Sequence, residues 1–380
     1  MNMRQAVISG SRVKTSNDLM GFVFVCMLFM MLAPARYAWA DTKPARLFER
    51  EDTIEVLITA PWRELVRDSR FQGSYPATIE FTDESGKTGT LELTVERRGI
   101  TRQRVCKIPP IKIRFDKKAV KGTTFRGQKS LKMVTHCESS PRYEQYYILE
   151  FLAYRIYNLL TDFSFKVRPL TATYLQAGSD SDEKKGSSFF KKKTSEGPAF
   201  AFLIEEDKDV ANRHDLKKLN VSKIRTTQLD SYEAALYALF QFLIANVDWA
   251  ATVGPEPGKC CHNTKLIGPE PTAPDDILYA IPYDFDSSGL VDSEYALPPD
   301  GVPIRSVTQR YYRGYCTHNR SLEGARQKML ANEQAIYRLF EEEARLDSKN
   351  RGKALGFLER GFAVLKDDAR FEKEIVDRCR

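Results

Sequence analysis

The run RYEQYYILEFLAYRIYNLL, residues 142–160, places Tyr147, Phe151, Tyr154 and Asn158 along one side of a helix, with Ile148, Leu152, Ile156 and Leu159 beside it. Apolar residues cover so much of the circumference that such a helix is expected to be buried against a sheet. Ser139 or Ser140 can cap its start, with Pro141 in the first turn. One acid, Glu150, sits inside the run. An unpartnered buried carboxylate is costly, so Glu150 either has a charge partner or occupies an edge position with its carboxylate in water.

On either side of this helix the pattern is strands. IEVLIT (54–59), ATIEFT (77–82), LELTVE (91–96) and IKIRF (111–115) precede it, separated by turns such as Asp83-Glu84-Ser85-Gly86-Lys87. LTATYL (170–175) and AFAFLIEE (199–206) follow, with a polar insertion between them that carries Lys184, Lys185 and Lys191 to Lys193 and reads best as a solvated loop. A second apolar helix is expected over 229–247, with Ser231 as its N-cap. Next come a Pro/Gly/Cys loop (249–276), a strand ILYAIPYD (277–284) and helical sequence from about Ser321. The order implies an α+β protein, β-rich in its N-terminal half and helical in its C-terminal half. The halves would meet near Glu205 and Glu206, where a cleft would be a natural ligand site.

Composition sets the compartment rather than the partner. The 380 residues carry 58 Lys and Arg against 51 Asp and Glu, a net charge of +7, with 42% hydrophobic and 29% charged residues. That mix excludes collagenous, coiled-coil and wholly disordered chains. Three of the seven charges fall within residues 1–40, and the remainder is too diffuse to argue for nucleic acid. Basic residues, the apolar run Leu19–Ala33 and the closing Ala38-Trp39-Ala40 have the form of a secretory signal peptide cleaved after Ala40, an uncleaved anchor being the alternative. Cleavage would leave no stable membrane span and a periplasmic or secreted protein. Cys26 would leave with the leader, so Cys106, Cys137, Cys260, Cys261, Cys316 and Cys379 remain, an even number suited to disulfides in 15 possible pairings. A bridge between adjacent Cys260 and Cys261 would be strained, so each is expected to pair elsewhere. Zinc is the competing reading, since His136, His262 and His318 stand beside or near thiols, but the spacing matches no zinc ribbon or finger.

Chemistry is most legible where the second helix ends. Asn246-Val247-Asp248 runs through the loop to Cys260-Cys261-His262-Asn263, and the following strand ends in Tyr283-Asp284-Phe285-Asp286. Phosphoryl transfer needs a carboxylate at the attacking hydroxyl and oxygen ligands for Mg²⁺; Asp248, Asn263 and Asp284 supply these in order. This set, with the Asp-Phe-Asp triplet, resembles the Asp…Asn…Asp-Phe-Gly order of protein-kinase-like folds, and more closely the spore-coat-protein-H-like (CotH) kinase family. Arg98-Gly99-Ile100-Thr101 followed by Pro110-Ile111-Lys112-Ile113-Arg114-Phe115-Asp116 is similar to that family's Arg-Gly…Pro-Lys-x-Tyr-x-Ile-x-Phe strand pair, and the Ser-rich, Arg-containing start of the 142–160 helix is similar too. The matches are short and scattered over 95–290.

The resemblance implies a two-lobed protein-kinase-like fold: signal peptide 1–40, a β-rich lobe 41–204 holding the buried helix 142–160, and a mainly helical lobe 205–380. It implies an ATP- and Mg²⁺-dependent kinase-like phosphotransferase acting on a hydroxyl-bearing acceptor such as a protein. Asp248 would be the catalytic carboxylate, with Asn263, Asp284 and Asp286 toward metal. Lys112, with Lys132 as its rival, would meet the phosphates. Glu150 would be the lysine's charge partner, and Glu205 would sit at the hinge. The sequence departs from the pattern in two ways: Asp248 and Asn263 stand fifteen residues apart, and no Gly-x-Gly-x-x-Gly loop occurs in the β-rich half. Arg97, Arg98 and Gly99 are either a substitute phosphate cradle or a basic turn. The alternatives kept open are a non-catalytic, pseudokinase-like envelope or extracellular binding protein, and a purely structural role in which Asp284 and Asp286 cap a turn and Asp248 a helix end. A serine hydrolase lacks its Gly-x-Ser-x-Gly elbow, and a glycosidase pair is not shown by the spacing of Asp284 and Asp286.

Overall fold

In the computed structural model, residues 44–68, 73–83, 85–99, 101–138, 140–177, 198–270 and 272–380 are described. The leader, its Ala40 cleavage site and the lysine-rich part of the insertion lie outside them.

The predicted strands form and, with one more at Ser130–Val134, close into a ring. β1 (Ile54–Ala60), β2 (Ser74–Thr82), β3 (Thr88–Arg97), β4 (Ile111–Phe115), β5 (Ser130–Val134), β6 (Val167–Gln176) and β7 (Ala199–Ile204) make a barrel in the order β1-β2-β3-β4-β5-β7-β6. Every pairing is antiparallel except the one that closes it, β1 against β6, with Ile54 opposite Leu170 and Ala60 opposite Gln176. This closed mixed barrel overturns the two-lobed protein-kinase-like fold that the resemblance implied. The physical reason is that β1 bonds on both sides, so the sheet has no free edge to leave it open. Alternation on β1 sends Ile54, Val56, Ile58 and Ala60 inward, where they pack with Ile79, Leu93, Ile113 and Phe125.

The described helices are α1 (Trp62–Arg67), α2 (Arg102–Val105), α3 (Pro141–Leu160), α4 (Asp207–Asn212), α5 (Ser231–Leu243), α6 (Leu322–Ala331), α7 (Glu333–Glu342), α8 (Ser348–Lys366) and α9 (Asp368–Glu374). α3 is the buried helix expected at 142–160, with Ser140 at its N-cap and Pro141 in the first turn. It shares one core with β7, α5, and the C-terminal helices, in which Tyr154 packs on Phe202 and Phe285. α5 is shorter than the 229–247 expected; its N-cap is Asp230, which accepts from the Glu233 N–H at 2.9 Å, rather than Ser231. The loop expected over 249–276 contains a strand, β9 (Thr264–Gly268), which lies between β8 (Lys217–Lys218) and β10 (Tyr279–Pro282) in a small antiparallel sheet. Residues Lys43–Arg380 form one compact unit.

Three disulfides are present: Cys106–Cys137, Cys316–Cys379 and Cys260–Cys261. The third corrects the expectation that Cys260 and Cys261 pair elsewhere: the other four bond among themselves and leave the neighbours to each other. Three bridges fit an oxidising, extracytoplasmic compartment. No helix among the described residues is long and apolar enough to cross a membrane.

Candidate functional site

Two segments converge through β9 and β10. Pro282 pairs with Thr264, and the Tyr283 N–H donates to the Asn263 carbonyl at 3.1 Å, so Asp284 and Asn263 sit at neighbouring strand ends. The turn beyond β10 then sorts the triplet. Phe285 goes into the core against Tyr154, with centroids 4.5 Å apart, and against Phe240 at 5.3 Å. Asp284 and Asp286 point the other way, to a common partner. Asn263 and Asp284 both adopt the left-handed backbone, with φ of 46° and 64°, which Asn and Asp tolerate better than most residues. The Asp284 N–H donates to the Tyr154 hydroxyl at 3.0 Å, which holds the turn.

Asp248 is oriented by two neighbours. His262 Nε2 lies 2.7 Å from its Oδ1, and Asn263 Nδ2 donates to its Oδ2 at 3.0 Å and to its carbonyl at 2.8 Å. The carboxylate raises the imidazole's pKa, chiefly through this hydrogen bond and against the opposing effect of burial. About a third of the Asp248 side chain is exposed (31%), so an incoming group can reach it.

The common partner of Asp284 and Asp286 is Arg102, on the short helix α2. Its guanidinium meets Glu150 at 2.9 and 3.2 Å, Asp284 at 3.1 Å and Asp286 at 3.0 Å. Glu150 is 1% exposed and Arg102 5%, so this is a buried pair shared with two less buried carboxylates. Burial and the neighbouring aspartates push Glu150 up to about 7 despite Arg102. Burial and Asp284 likewise push Asp286 up to about 6. Glu150 therefore has a partner, as its position demanded, but that partner is neither Lys112 nor Lys132.

Cations gather around the Tyr283 ring. Lys132 and Lys265 each place Nζ 5.1 Å from its ring centroid, and the Arg98 guanidinium lies 5.7 Å away and also bonds the tyrosine hydroxyl. Lys132 is paired with Asp207, which also meets Lys218 at 2.8 Å. Burial tends to raise Asp207, but Lys132 and Lys265 overcome it and hold the carboxyl well below its usual range. Lys265 is pushed down, first by burial and then by Lys132 and Lys218, against the pull of Asp207.

Lys112 is the cross-strand neighbour of Lys132. It lines a cavity of about 530 Å³ with Arg114, Lys218, Asp207 and Glu206. Glu206 Oε1 is buried there with no hydrogen-bond partner, an acceptor suited to a hydroxyl or amino group. Glu205 faces elsewhere: Arg213, at 3.2 and 3.3 Å, and the Lys166 N–H, at 3.0 Å, engage both of its oxygens, and it ties the chain end of β7 to α4. Arg97 is likewise spent on the carbonyls of Val66 and Asp68, at 3.0 and 3.2 Å.

Among the described residues no group of three or more His, Cys, Asp or Glu side chains is arranged to hold a metal ion. The expected set nevertheless has oxygens to offer. Among the described residues Asn263 Oδ1 and Asp284 Oδ2 make no hydrogen bond, while Asp284 is the more open of the two aspartates on Arg102, at 25% exposed against 14%. Two hard oxygen donors fit Mg²⁺, which keeps several waters and takes few protein ligands. Arg102, Lys265 and Asp207 carry no sequence signal, and His262, which the sequence offers only as a zinc candidate beside Cys261, instead orients Asp248. Lys265 stands two residues after Asn263 and Arg102 four after Arg98, but nothing in their local sequence shows what they face. No protein-family model and no curated protein matches the chain, so the chemistry of this site is read from its own geometry.

Proposed function

We propose that the protein is an extracytoplasmic phosphotransferase, periplasmic or secreted with its leader removed after Ala40, that moves a phosphoryl group from ATP to a hydroxyl of an acceptor such as a protein. Its chemistry would resemble that of the CotH-like kinases on a barrel scaffold. One observation carries the reading: a cation-rich cluster and a carboxylate-rich cluster meet at Tyr283 and Asp284, beside the oriented carboxylate of Asp248. Phosphoryl transfer is mostly positioning and charge stabilisation, which needs cations for the phosphate oxygens and a carboxylate for the attacking hydroxyl. Arg98, Lys132 and Lys265 would hold the phosphates, and the Lys112 and Glu206 cavity the rest of the nucleotide. Asn263 and Asp284 would hold Mg²⁺, with Asp286 in support through Arg102; when bound, the ion neutralises phosphate charge. Asp248, fixed by His262 and Asn263, would accept the proton of the acceptor hydroxyl.

A second reading, nucleotide binding without turnover, draws support from Arg102, whose guanidinium already engages both Asp284 and Asp286. Incubating the purified protein with labelled ATP and Mg²⁺ separates the two. The first reading expects transfer of label, slowed about 10²- to 10⁴-fold by Asp248→Asn. Nucleotide binding that weakens in Asp284→Ala, without any transfer, selects the second. Absence of transfer together with nucleotide binding unchanged in Asp284→Ala sinks both.

A further inference from the structure

A second, larger cavity of about 950 Å³ opens between the start of α3, the segment Gly289–Asp292 and α8. Its volume is near the top of the range of about 300–1,000 Å³ usual for ligand sites. Its charges do not balance. Arg142, Arg310, Lys349, Lys353 and Arg360 line it against only Asp292 and Asp347. Both acids are already committed: Asp292 to Lys353 at 2.7 Å, and Asp347 to capping α8 through the Asn350 N–H at 2.8 Å. Arg142 pairs with Glu294 at the rim. That leaves Arg310, Lys349 and Arg360 with no carboxylate in ion-pair contact among the described residues, the nearest influences being Glu374 on Arg310 and Asp347 on Lys349. Arg310 bonds only the carbonyls of Leu243 and Phe357, at 3.0 and 2.6 Å, and stacks 4.0 Å from the Phe357 ring. Burial and nearby Arg360 lower its pKa to about 10, against the pull of Glu374.

The groove also connects to the site. Its wall begins three residues after Asp286. The N–H groups of Gly289 and Leu290 donate to the carbonyls of Ala245 and Ile244, at 3.1 and 3.0 Å, on the turn that leads from α5 to Asp248. Tyr146, Leu149 and Phe357, largely buried in the core beneath, supply part of its apolar lining.

We infer that this groove binds an acidic peptide segment, rich in Asp and Glu, of the acceptor protein. Calling the occupant an acceptor rests on the phosphotransferase reading; the binding itself does not. Opposite charge on the segment would neutralise Arg310, Lys349 and Arg360, so recognition depends on charge and weakens with salt.

The test uses three fluorescent peptides with one central serine, flanked by Asp and Glu, by Asn and Gln, or by Lys and Arg. Binding to the purified full-length protein is measured without nucleotide. The acidic peptide is expected to bind at least about tenfold more tightly than the amide peptide. Reversal of two exposed positions, Lys349→Glu with Arg360→Glu, should erase that preference, whereas Lys121→Glu with Arg126→Glu on the barrel should leave it intact. Equal binding of the acidic and amide peptides overturns the inference. So does a preference that survives the groove reversal, or one that the barrel reversal erases equally. Label transfer to serine peptides without acidic preference removes the groove and leaves the phosphotransferase standing. Acidic preference without any transfer removes the phosphotransferase and leaves the groove.

Discussion

The two charge clusters that flank Tyr283 are built from similar parts and are unbalanced in opposite directions. Around Arg102, three carboxylates share one guanidinium, and two of them are pushed up to about 7 and about 6. Around Asp207, three lysines share one carboxylate, and Asp207 is pulled down while Lys265 is pushed down as well. A closed ion pair placed for stability alone would tend toward neutrality, since desolvating unmatched charge is costly. Retaining an acid surplus beside a cation surplus makes sense where a ligand brings both charges, a cation for the first and phosphate oxygens for the second.

The comparison breaks most visibly at Arg102. Arg102→Met leaves Glu150 buried and unpaired, so chemical unfolding at pH 8 should show a loss of about 3–5 kcal/mol. The loss should shrink at pH 5, where the stranded carboxyls pick up protons. If stability at pH 8 is untouched, Arg102 does not organise the acid side. Next comes the anchor of that side: the Cys106–Cys137 bridge ends four residues after Arg102 and spans 31 residues. Replacing both cysteines by alanine should cost about 4 kcal/mol by the loop-entropy relation. An unchanged melting temperature would show that α2 is held without it.

The pH profile sharpens the contrast further. Glu150 titrates higher in the folded chain than in the unfolded one, so the stability it contributes is full below about 4.5 and is lost as pH rises through about 7. Glu150→Gln should flatten the stability profile across that window by up to about 3 kcal/mol. Asp207 works with the opposite sign: its stabilisation is present above its ordinary carboxylate range and is lost as pH falls through its lowered value. A wild-type protein as stable at pH 8 as at pH 5, with Glu150→Gln unchanged, contradicts a buried acid surplus. The smallest effect is expected at Lys265. Lys265→Met removes a cation already disfavoured by burial, so stability should move by no more than about 1 kcal/mol, while nucleotide affinity falls at least about tenfold. A large destabilisation would make Lys265 a structural cation rather than a ligand group.

Local pattern made much of this legible. IKIRF became β4 over the same five residues, and the apolar girth of 142–160 announced a buried helix whose bounds moved by one residue. β5 and β9 escape the pattern: SLKMV ends in two adjacent apolar residues and TKLIG holds two at its centre, so neither shows the strict alternation that marks IKIRF. At the site, Asp248, Asn263, Asp284 and Asp286 do come together, because strand ends and helix ends concentrate polar residues that the sequence displays openly. Their partners were hidden. Glu150 meets an arginine 48 positions away, and Lys132 an aspartate 75 positions away.

The amino-acid sequence by itself determined most of the longer elements, a cysteine count suited to an oxidising compartment, and the set of oxygen-bearing residues that chemistry could use. Each follows from interactions within a few residues or from composition. Only the tertiary structure decided that the strands close into a barrel, since β1 and β6 pair across more than a hundred residues and either could have been left an edge. It also decided which cation faces which acid. Those choices depend on desolvation and Coulomb energy summed over groups from distant segments, and no local pattern encodes that sum.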